Sequence, residues 1–496
     1  MKEEALRYHE NNGRPGKIGT AILTSVKGKE DLSLAYSPGV AFPCLEIAED
    51  SSKVYDYTGK GNSVAVISNG TAVLGLGNIG AAAGKPVMEG KALLFKHFGG
   101  IDAVDVEIDS VDVDEIVRTV ELIAGTYGGI NLEDFKAPEC FEIEERLKAS
   151  LDIPVMHDDQ HGTAVVVGAG LTNALKKVGK KFSEVKVIVN GAGAAGIAII
   201  KMLLNLGVSQ DNLYVCDRKG LIVVSGDYDS SKMEFARDEE VKSLAEVSKG
   251  ADVFVGVSAA DVFLPEMLLS MNEKPIVFAL ANPNPEIGWD VAHATRDDVV
   301  MATGRSDFPN QVNNVLAFPG IFRGALDCRA SCINEEMKVA AVNALAGLVE
   351  GDEIIPSAFN DRIVVEIALA VAGAGVESGV ALDGFDLDGY RGRLEGEFLE
   401  RNKEKGIGSK EGEIGEFLRG IDYGIEVGGR FRHFKGKEYE VVAIGWDSEK
   451  LTRIVVYRAF YDSEEFGDRP VWVRDFLDFV GEVEVDGEVV RRFEKI

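Results

Sequence analysis

No apolar run in the chain approaches the ~20 residues that a membrane-spanning helix requires, which excludes a helical anchor. The first residues, MKEEALRYHENNGRPGK, lack the apolar stretch of a secretory signal. Cysteine is scarce and odd in number: Cys44, Cys140, Cys216, Cys328 and Cys332. The last two stand in CRASC, one residue wider than a CxxC pair, so neither a disulfide framework nor a redox pair is expected. Reduced thiols and a cytoplasmic location follow. Positive charge is also in deficit, with 53 Lys and Arg against 82 Asp and Glu and a formal net charge of −29. Such a field repels phosphate backbones and anionic lipid headgroups, which argues against nucleic acid or a membrane surface as partner. No internal repeat is present.

What remains is a globular composition, 46% hydrophobic and 27% charged, in 496 residues. That length exceeds one compact core, so two or three domains are expected. Residues 1–160 mix short β-like runs (SVAVIS, DAVDVEI) with helical stretches and Gly-rich turns. Over 161–390 apolar strands (VKVIVNG, NLYVCD, ADVFVGVS, PIVFALAN, DVVMATGR) alternate with helical segments such as AIIKMLLNLG. Alternation of that kind predicts an α/β unit, a parallel sheet covered by helices. Residues 391–420, including the charged ERNKEKGIGSKEGEIGEF from Glu400, read as a linker or frayed helix. The final stretch, 421–496, holds 13 of the chain's 39 aromatics and two of its three tryptophans. Its short alternating runs, with a hairpin signal at Asp486 and Gly487, predict a small β-rich domain.

Two segments match GxGxxG. GLGNIG, Gly75 to Gly80, lacks an acid at the right distance after a second strand and reads as a tight turn that lines a site at most. GAGAAG follows the strand VKVIVN and opens a helix, and the next strand ends in Asp217, 21 residues beyond Gly196. In this unit glycines let backbone N–H groups approach a pyrophosphate at a helix start, and the acid bonds the ribose hydroxyls. Gly191, Gly193, Ala194, Ala195 and Gly196 are therefore candidate cofactor residues, with Asp217 and Arg218. A carboxylate at Asp217 repels a 2′-phosphate and favours NAD, whereas Arg218 and Lys219 would attract one, so NADP stays open. The carboxyl ends of the other strands supply Ser258, Asn282, Asn313 and Asn314, where ligands gather in such sheets. GAGVESG, Gly373 to Gly379, ends a helical run and fails the spacing.

Hard cations such as Mg²⁺ and Mn²⁺ take a few carboxylate oxygens. Adjacent acids occur at Glu133–Asp134 (INLEDF) and at Asp158–Asp159 (MHDDQHGTA), the second pair just after the apolar run IPVM. His157 and His161 are four apart, but Asp158 replaces the Glu of HExxH, so a zinc protease is excluded and hydrogen-bonded structural histidines are expected.

From about residue 15 to 390 the sequence resembles the short malic enzymes of bacteria and archaea. The resemblance rests on DLSLAYSPGVA, YTGKGNSVAVISNGTAVLGLGNIG, GKPVMEGKALLFKHFGGID, INLEDF, PVMHDDQHGTA, VNGAGAAG, ANPNPEI and TGRSDFPNQVNNVLAFPGIFRGAL, in the family's order. It implies oxidative decarboxylation of malate to pyruvate with NAD or NADP and a divalent metal. Glu133, Asp134 and Asp159 resemble the metal ligands, and Asp158 the acid that orients the lysine. Lys91 resembles the base and Tyr36 the acid that protonates the enol, while Asn282 and Asn314 resemble the substrate-side amides. Beside a dication, the Lys91 amine is expected to have a lowered pKa. Departures from the family pattern are Asn69 for Asp, Phe42 for Glu and Ala72 where larger relatives carry a substrate-binding arginine. A homodimer is implied by the same resemblance. The tail resembles a small β-rich domain of unknown function, whose aromatics are expected to form its core. Two other readings stay open: an oxaloacetate decarboxylase or malolactic-type enzyme on the same site, and a dinucleotide-sensing regulator without catalysis.

Overall fold

Two parallel sheets place their strand ends where polar residues converge. In the computed structural model the described residues are 2–10, 15–73, 75–349, 351–404, 429–433, 435–446, 453–461, 469–475, 479, 482–485, 488–491 and 493–495. They divide into two compact units, Met1–Glu395 and Gly396–Ile496.

The first sheet contains β1 (Ser63–Ser68), β2 (Asp102–Glu107), β3 (Gly129–Leu132) and β4 (Val155–His157), in the order β2-β1-β3-β4. Strands β1 and β3 are buried almost throughout, as continuous Val, Ile and Leu runs require when both faces are covered. The helix Ala81–Gly99 buries the stripe Ala81, Gly84, Met88, Lys91, Ala92 and Phe95. A lysine within a helix's buried stripe has to be paired, and Lys91 is.

The second sheet has the order β10-β9-β8-β5-β6-β7. Its parallel strands are β5 (Val187–Asn190), β6 (Leu213–Asp217), β8 (Val253–Gly256), β9 (Ile276–Ala279) and β10 (Val300–Thr303). The two-residue β7 (Gly220–Leu221) runs antiparallel to β6. All five apolar runs expected as strands are strands. From β5 the chain builds outward through β6 on one side and β8 to β10 on the other, so the strand order reverses between β5 and β8, where nucleotides bind in doubly wound sheets. The expected boundary near residue 160 falls inside one helix, Asp158–Val178, which begins at β4 and packs against the helix Ala194–Asn205 of the second sheet.

The C-terminal unit is a five-stranded antiparallel sheet, β14-β13-β12-β11-β17. These strands are β11 (Arg430–His433), β12 (Glu438–Trp446), β13 (Arg453–Ala459), β14 (Val471–Asp475) and β17 (Phe493–Lys495). Phe431, Tyr439, Tyr457, Phe479 and Phe493 form its core, with Phe479 stacked on Phe493 at 4.1 Å between ring centres. Asp486 and Gly487, the expected hairpin signal, lie outside the described residues; β15 (Glu482–Val485) and β16 (Glu488–Arg491) pair antiparallel with Val485 opposite Glu488. Of the expected linker, the part to Glu404 belongs to the helix Leu387–Glu404, and residues 405–420 lie outside the described residues. No helix among the described residues is long and apolar enough to cross a membrane.

Candidate active site

Strand register brings the two acidic pairs together. Strands β3 and β4 are parallel neighbours with Leu132 opposite His157, so Glu133–Asp134 and Asp158–Asp159 leave adjacent strand ends side by side. Asp158 and Asp159 open the helix Asp158–Val178, where the unsatisfied N–H groups favour negative charge. Asp134 adopts the left-handed conformation at φ 57°, a region that Asp and Asn enter more readily than other non-glycine residues. Its backbone N–H donates to Asp159 Oδ2 at 2.7 Å, locking the two segments together. One ligand oxygen from each of Glu133, Asp134 and Asp159 lies within 4.8 Å of the others.

Lys91 enters this cluster from the helix Ala81–Gly99. Its Nζ lies 2.6 Å from Asp158 Oδ2 and 2.9 Å from Glu133 Oε1, and it sits over the Phe318 ring at 4.4 Å. Asn131 Nδ2 donates to Glu133 Oε2 at 2.9 Å. Four carboxylates thus face one ammonium in a buried site. Burial raises the pKa of all four, and their mutual repulsion adds to it; Asp158 is pushed up to about 7. The lowered value expected for Lys91 belongs to the amine beside a dication; the protein's own groups by themselves act on that amine in the other direction. Burial pushes it down, but Asp158, Glu133 and Asp159 outweigh that and hold it above its usual range. The reason is the sign of the surroundings: the protein's own groups present only negative charge to the amine.

A divalent cation fits these residues. Asp134 Oδ2 is buried without a hydrogen-bond partner, the donor set is all oxygen, and repelling carboxylates at this spacing are relieved by positive charge. Asp158 Oδ1 is likewise buried without a partner. Ala72, at the place of the missing arginine, offers the site only its backbone N–H, donated to Asp134 O at 2.9 Å. Asn69, the other departure, is tied to Ser110 O and Thr71 and serves the turn rather than the cluster.

The nucleotide candidates line a cleft of about 640 Å³ that includes Gly191, Gly193, Asp217, Arg218 and Ser258. Gly191 has φ 117°, and a Cβ there would lie 2.5 Å from Val257 O; a Cβ on Gly196 would lie 1.8 Å from Gly191 O. Gly193 caps the helix Ala194–Asn205 and has nothing within 4 Å of an added Cβ, leaving room for a ligand at that helix start. Ala194, Ala195 and Gly196 form the first turn behind it. Asp217 ends β6, accepts the Lys219 N–H at 2.8 Å and lies 3.7 Å from Lys232 Nζ. Ser258 accepts from Asn190 Nδ2 at 2.8 Å.

The two sites approach each other through glycines. A Cβ on Gly162 would lie 1.8 Å from Asp158 Oδ1 and 3.1 Å from the Asn314 side chain, so glycine is what lets the Asp158 turn and Asn314 meet. Gly75, at φ 73° in GLGNIG, backs onto Asn282 O, 2.9 Å from where its Cβ would be. That turn therefore packs on the Asn282 loop.

Tyr36 stands apart. It is 72% exposed at the end of the short helix Lys29–Ala35, and no hydrogen bond of the Lys91 cluster reaches it. His161 is hydrogen-bonded, as expected, to Glu144 and Lys338. His157 is not: both ring nitrogens are buried without a partner, since the ring faces Phe135 and Asp159 Oδ2 is 3.8 Å away. The sequence reading missed two buried carboxylates. Glu286 accepts the N–H groups of Ser258 (2.8 Å) and Ala281 (3.0 Å), binding two site loops together. Glu144 lies behind the Asp158 turn; its one sequence signal is an acid in the apolar stripe Cys140, Ile143, Leu147.

Comparison with known proteins accounts for most of the chain. Residues 15–148 match the malic enzyme N-terminal domain, 160–375 the malic enzyme NAD binding domain, and 429–495 a protein of unknown function (DUF1653). A bifunctional malic/malolactic enzyme of Bacillus subtilis is 56% identical over 392 residues, covering 77% of this chain and 94% of that protein. An NAD-dependent malic enzyme of Rhizobium meliloti is 50% identical across 79% of this chain, but the match spans only 54% of that longer protein. The same holds for several further relatives, of whose length the chain matches about half. Among solved structures, a malic enzyme from Pyrococcus horikoshii is 45% identical with a TM-score of 0.77, covering 81% of this chain and 96% of that one. A malic enzyme of Entamoeba histolytica has the same TM-score at 35% identity, covering 82% of this chain and 88% of its own.

Proposed function

The chain belongs to the malic enzyme family, and from that premise we propose that it oxidises malate with NAD or NADP and decarboxylates the product to pyruvate, with Mg²⁺ or Mn²⁺ held by Glu133, Asp134 and Asp159. One observation carries the reading: a buried amine and three convergent carboxylates share a cluster whose edge meets the nucleotide-site loops. A cation bound there would supply Lewis-acid polarisation of the C2 oxygen of malate.

The chain's own groups do the rest. Lys91 Nζ would take the C2 hydroxyl proton, and a nicotinamide dinucleotide held at the Gly191–Gly196 turn would supply the hydride acceptor. Asp158, hydrogen-bonded to Lys91, aims the amine and balances its charge. Lys91 is held protonated by Asp158 and by the proposed ligands Glu133 and Asp159, so its action as a base depends on the ligands' charge being taken up. After oxidation the C4 carboxylate would depart as CO₂, and the resulting enolate of pyruvate would receive its C3 proton from Tyr36. Asn282 and Asn314 would flank the substrate on the nucleotide side. Asp217 favours NAD over NADP, because its carboxylate opposes a 2′-phosphate.

A homodimer, in the cytoplasm, completes the proposal. No described side chain before Val64 is buried, and Leu34, Tyr36, Phe42 and Leu45 are all well exposed on one arm. Large apolar side chains exposed together over a short stretch suit an interface, and cover by a second copy would give Tyr36 surroundings suited to proton transfer. Light scattering is expected to give a dimer for the full chain and a shift toward monomer for Phe42→Asp; a monomeric full chain would remove this part.

Malate-dependent formation of NADH with an equal amount of pyruvate, dependent on Mn²⁺, tests the activity. Lactate in place of pyruvate, without net NADH, would instead favour the malolactic reaction that the name of the Bacillus subtilis relative includes. Absence of any turnover would favour a regulator.

The cluster also sets a pH dependence. The carboxylates' folded pKa values are raised above their unfolded ones, so the metal-free protein gains stability from them at low pH and loses it as pH rises toward and through about 7, the value for Asp158. Cation binding needs these groups deprotonated and displaces their protons. Mn²⁺ affinity, followed by calorimetry, should therefore increase between about pH 6 and 8, by roughly tenfold per unit for each proton displaced. The same affinity at both ends of that range would contradict the account.

A further inference from the structure

The Asp158–Asp159 turn is gripped from behind by a chain of polar and charged residues, centred on buried Glu144 and Lys338, that takes no part in the chemistry above. His157 precedes the helix Asp158–Val178 and offers its first turn no side-chain cap. The turn is held instead from another helix, through the N–H of His157 and the side chains of Gln160 and His161. Glu144, buried on Glu139–Ser150, accepts the backbone N–H of His157 at 3.0 Å, Gln160 Nε2 at 3.3 Å and His161 Nε2 at 3.0 Å. These three residues bracket Asp158 and Asp159 in sequence, so one carboxylate holds the turn on both sides of the acids. Lys148 Nζ, at 2.8 Å, balances its charge.

His161 passes the constraint further. Lys338, itself buried on the helix Glu335–Ala346 and paired with Glu335, lies with Nζ 3.1 Å from His161 Nδ1. An ammonium only donates, so Nδ1 accepts and Nε2 carries the hydrogen given to Glu144. The ring is thereby fixed in one tautomer and one orientation between two helices. Burying Glu144 and Lys338 is costly unless each is paired, and a generic fold contact between these helices would need neither.

We infer that Glu144, steadied by His161 and Lys338, is a positioning residue that holds the Asp158–Asp159 turn in the conformation a divalent cation requires. The inference rests on the metal-site reading proposed above. Groups that orient metal ligands from behind typically change affinity by about 10–100-fold when lost.

The test is the dissociation constant for Mn²⁺ of the full chain without substrate, read from the paramagnetic resonance signal of free Mn²⁺. His161→Leu breaks the chain of hydrogen bonds, whereas His161→Gln can still donate an amide N–H to Glu144 and accept from Lys338. Glu144→Ala removes the centre. His161→Leu and Glu144→Ala are expected to weaken Mn²⁺ binding by about tenfold or more, and His161→Gln to stay near wild type. NADH binding, read by fluorescence, should be unchanged in all three and reports that the nucleotide site is folded. Should Glu144→Ala not fold, the two His161 variants carry the comparison. Wild-type affinity in His161→Leu would overturn the inference, as would equal weakening in His161→Gln and His161→Leu with NADH binding intact. Failure of the wild-type protein itself to bind Mn²⁺ would overturn the metal-site reading along with it.

Discussion

Lys91→Ala is expected to lower kcat for malate oxidation by about 10²–10⁴-fold, the range over which a positioned general base contributes. The amine is buried in the apolar stripe of its helix and bonded to Asp158 and Glu133, so no neighbouring group can take its place. NADH binding should survive, since the Gly191–Gly196 turn belongs to a different sheet. Two further readouts separate loss of the base from loss of structure. A small primary amine added to Lys91→Ala should restore part of the rate, because the deletion leaves a lysine-shaped space beside Phe318. Lys91→Arg should remain inactive, because a guanidinium does not give up its proton. An unchanged rate in Lys91→Ala would remove Lys91 from the chemistry.

Asp134→Asn carries the second large effect, and its two consequences have opposite sign. Asparagine tolerates the left-handed backbone at φ 57° as readily as aspartate, so the conformation should hold. Mn²⁺ affinity should fall by more than about 100-fold, beyond the loss typical of groups behind the ligands, and turnover at ordinary metal concentrations with it. The metal-free protein, however, should become more stable. Asp134 is pushed upward by burial and by repulsion from Asp159 and Glu133, and its neutral replacement relieves both. Thermal melts with and without Mn²⁺ check this: a higher Tm than wild type in chelator and a lost response to Mn²⁺. A lower Tm in chelator would mean that the cluster is held by something other than an awaited positive charge.

Much of this site was legible in the sequence because its parts sit at strand ends. Continuous apolar runs mark the parallel strands, and Glu133–Asp134, Asp158–Asp159, Gly191, Asp217 and Ser258 each follow such a run, so the sheet rule alone gathers them. What the sequence could not give is adjacency between elements that are not consecutive. The pairing of β3 with β4 in one register decides that the two acidic pairs meet. Glu144 and Glu286 escaped notice because a buried acid looks like any surface acid until its partners are known, and those partners lie on elements distant in sequence or are backbone N–H groups with no sequence signature. His157 was misjudged for the same reason: its buried ring packs against Phe135 instead of finding a hydrogen bond. The lowered pKa expected for Lys91 presupposes a bound dication, and the chain's own residues alone hold the amine above its usual range. Tyr36 was assigned by resemblance alone, and the exposure of its arm is a property of the single chain that no local pattern foretells.

The central claim is spatial: one cation held among Glu133, Asp134 and Asp159 with the Lys91 amine against it. Crystals grown with Mn²⁺ and a non-reacting malate analogue, measured for anomalous scattering, examine it directly. The account predicts a single strong Mn²⁺ peak per chain, bonded to an oxygen from each of the three carboxylates, with the analogue's hydroxyl within hydrogen-bonding reach of Lys91 Nζ. A peak elsewhere on the chain, or an analogue bound beyond that reach, would contradict it.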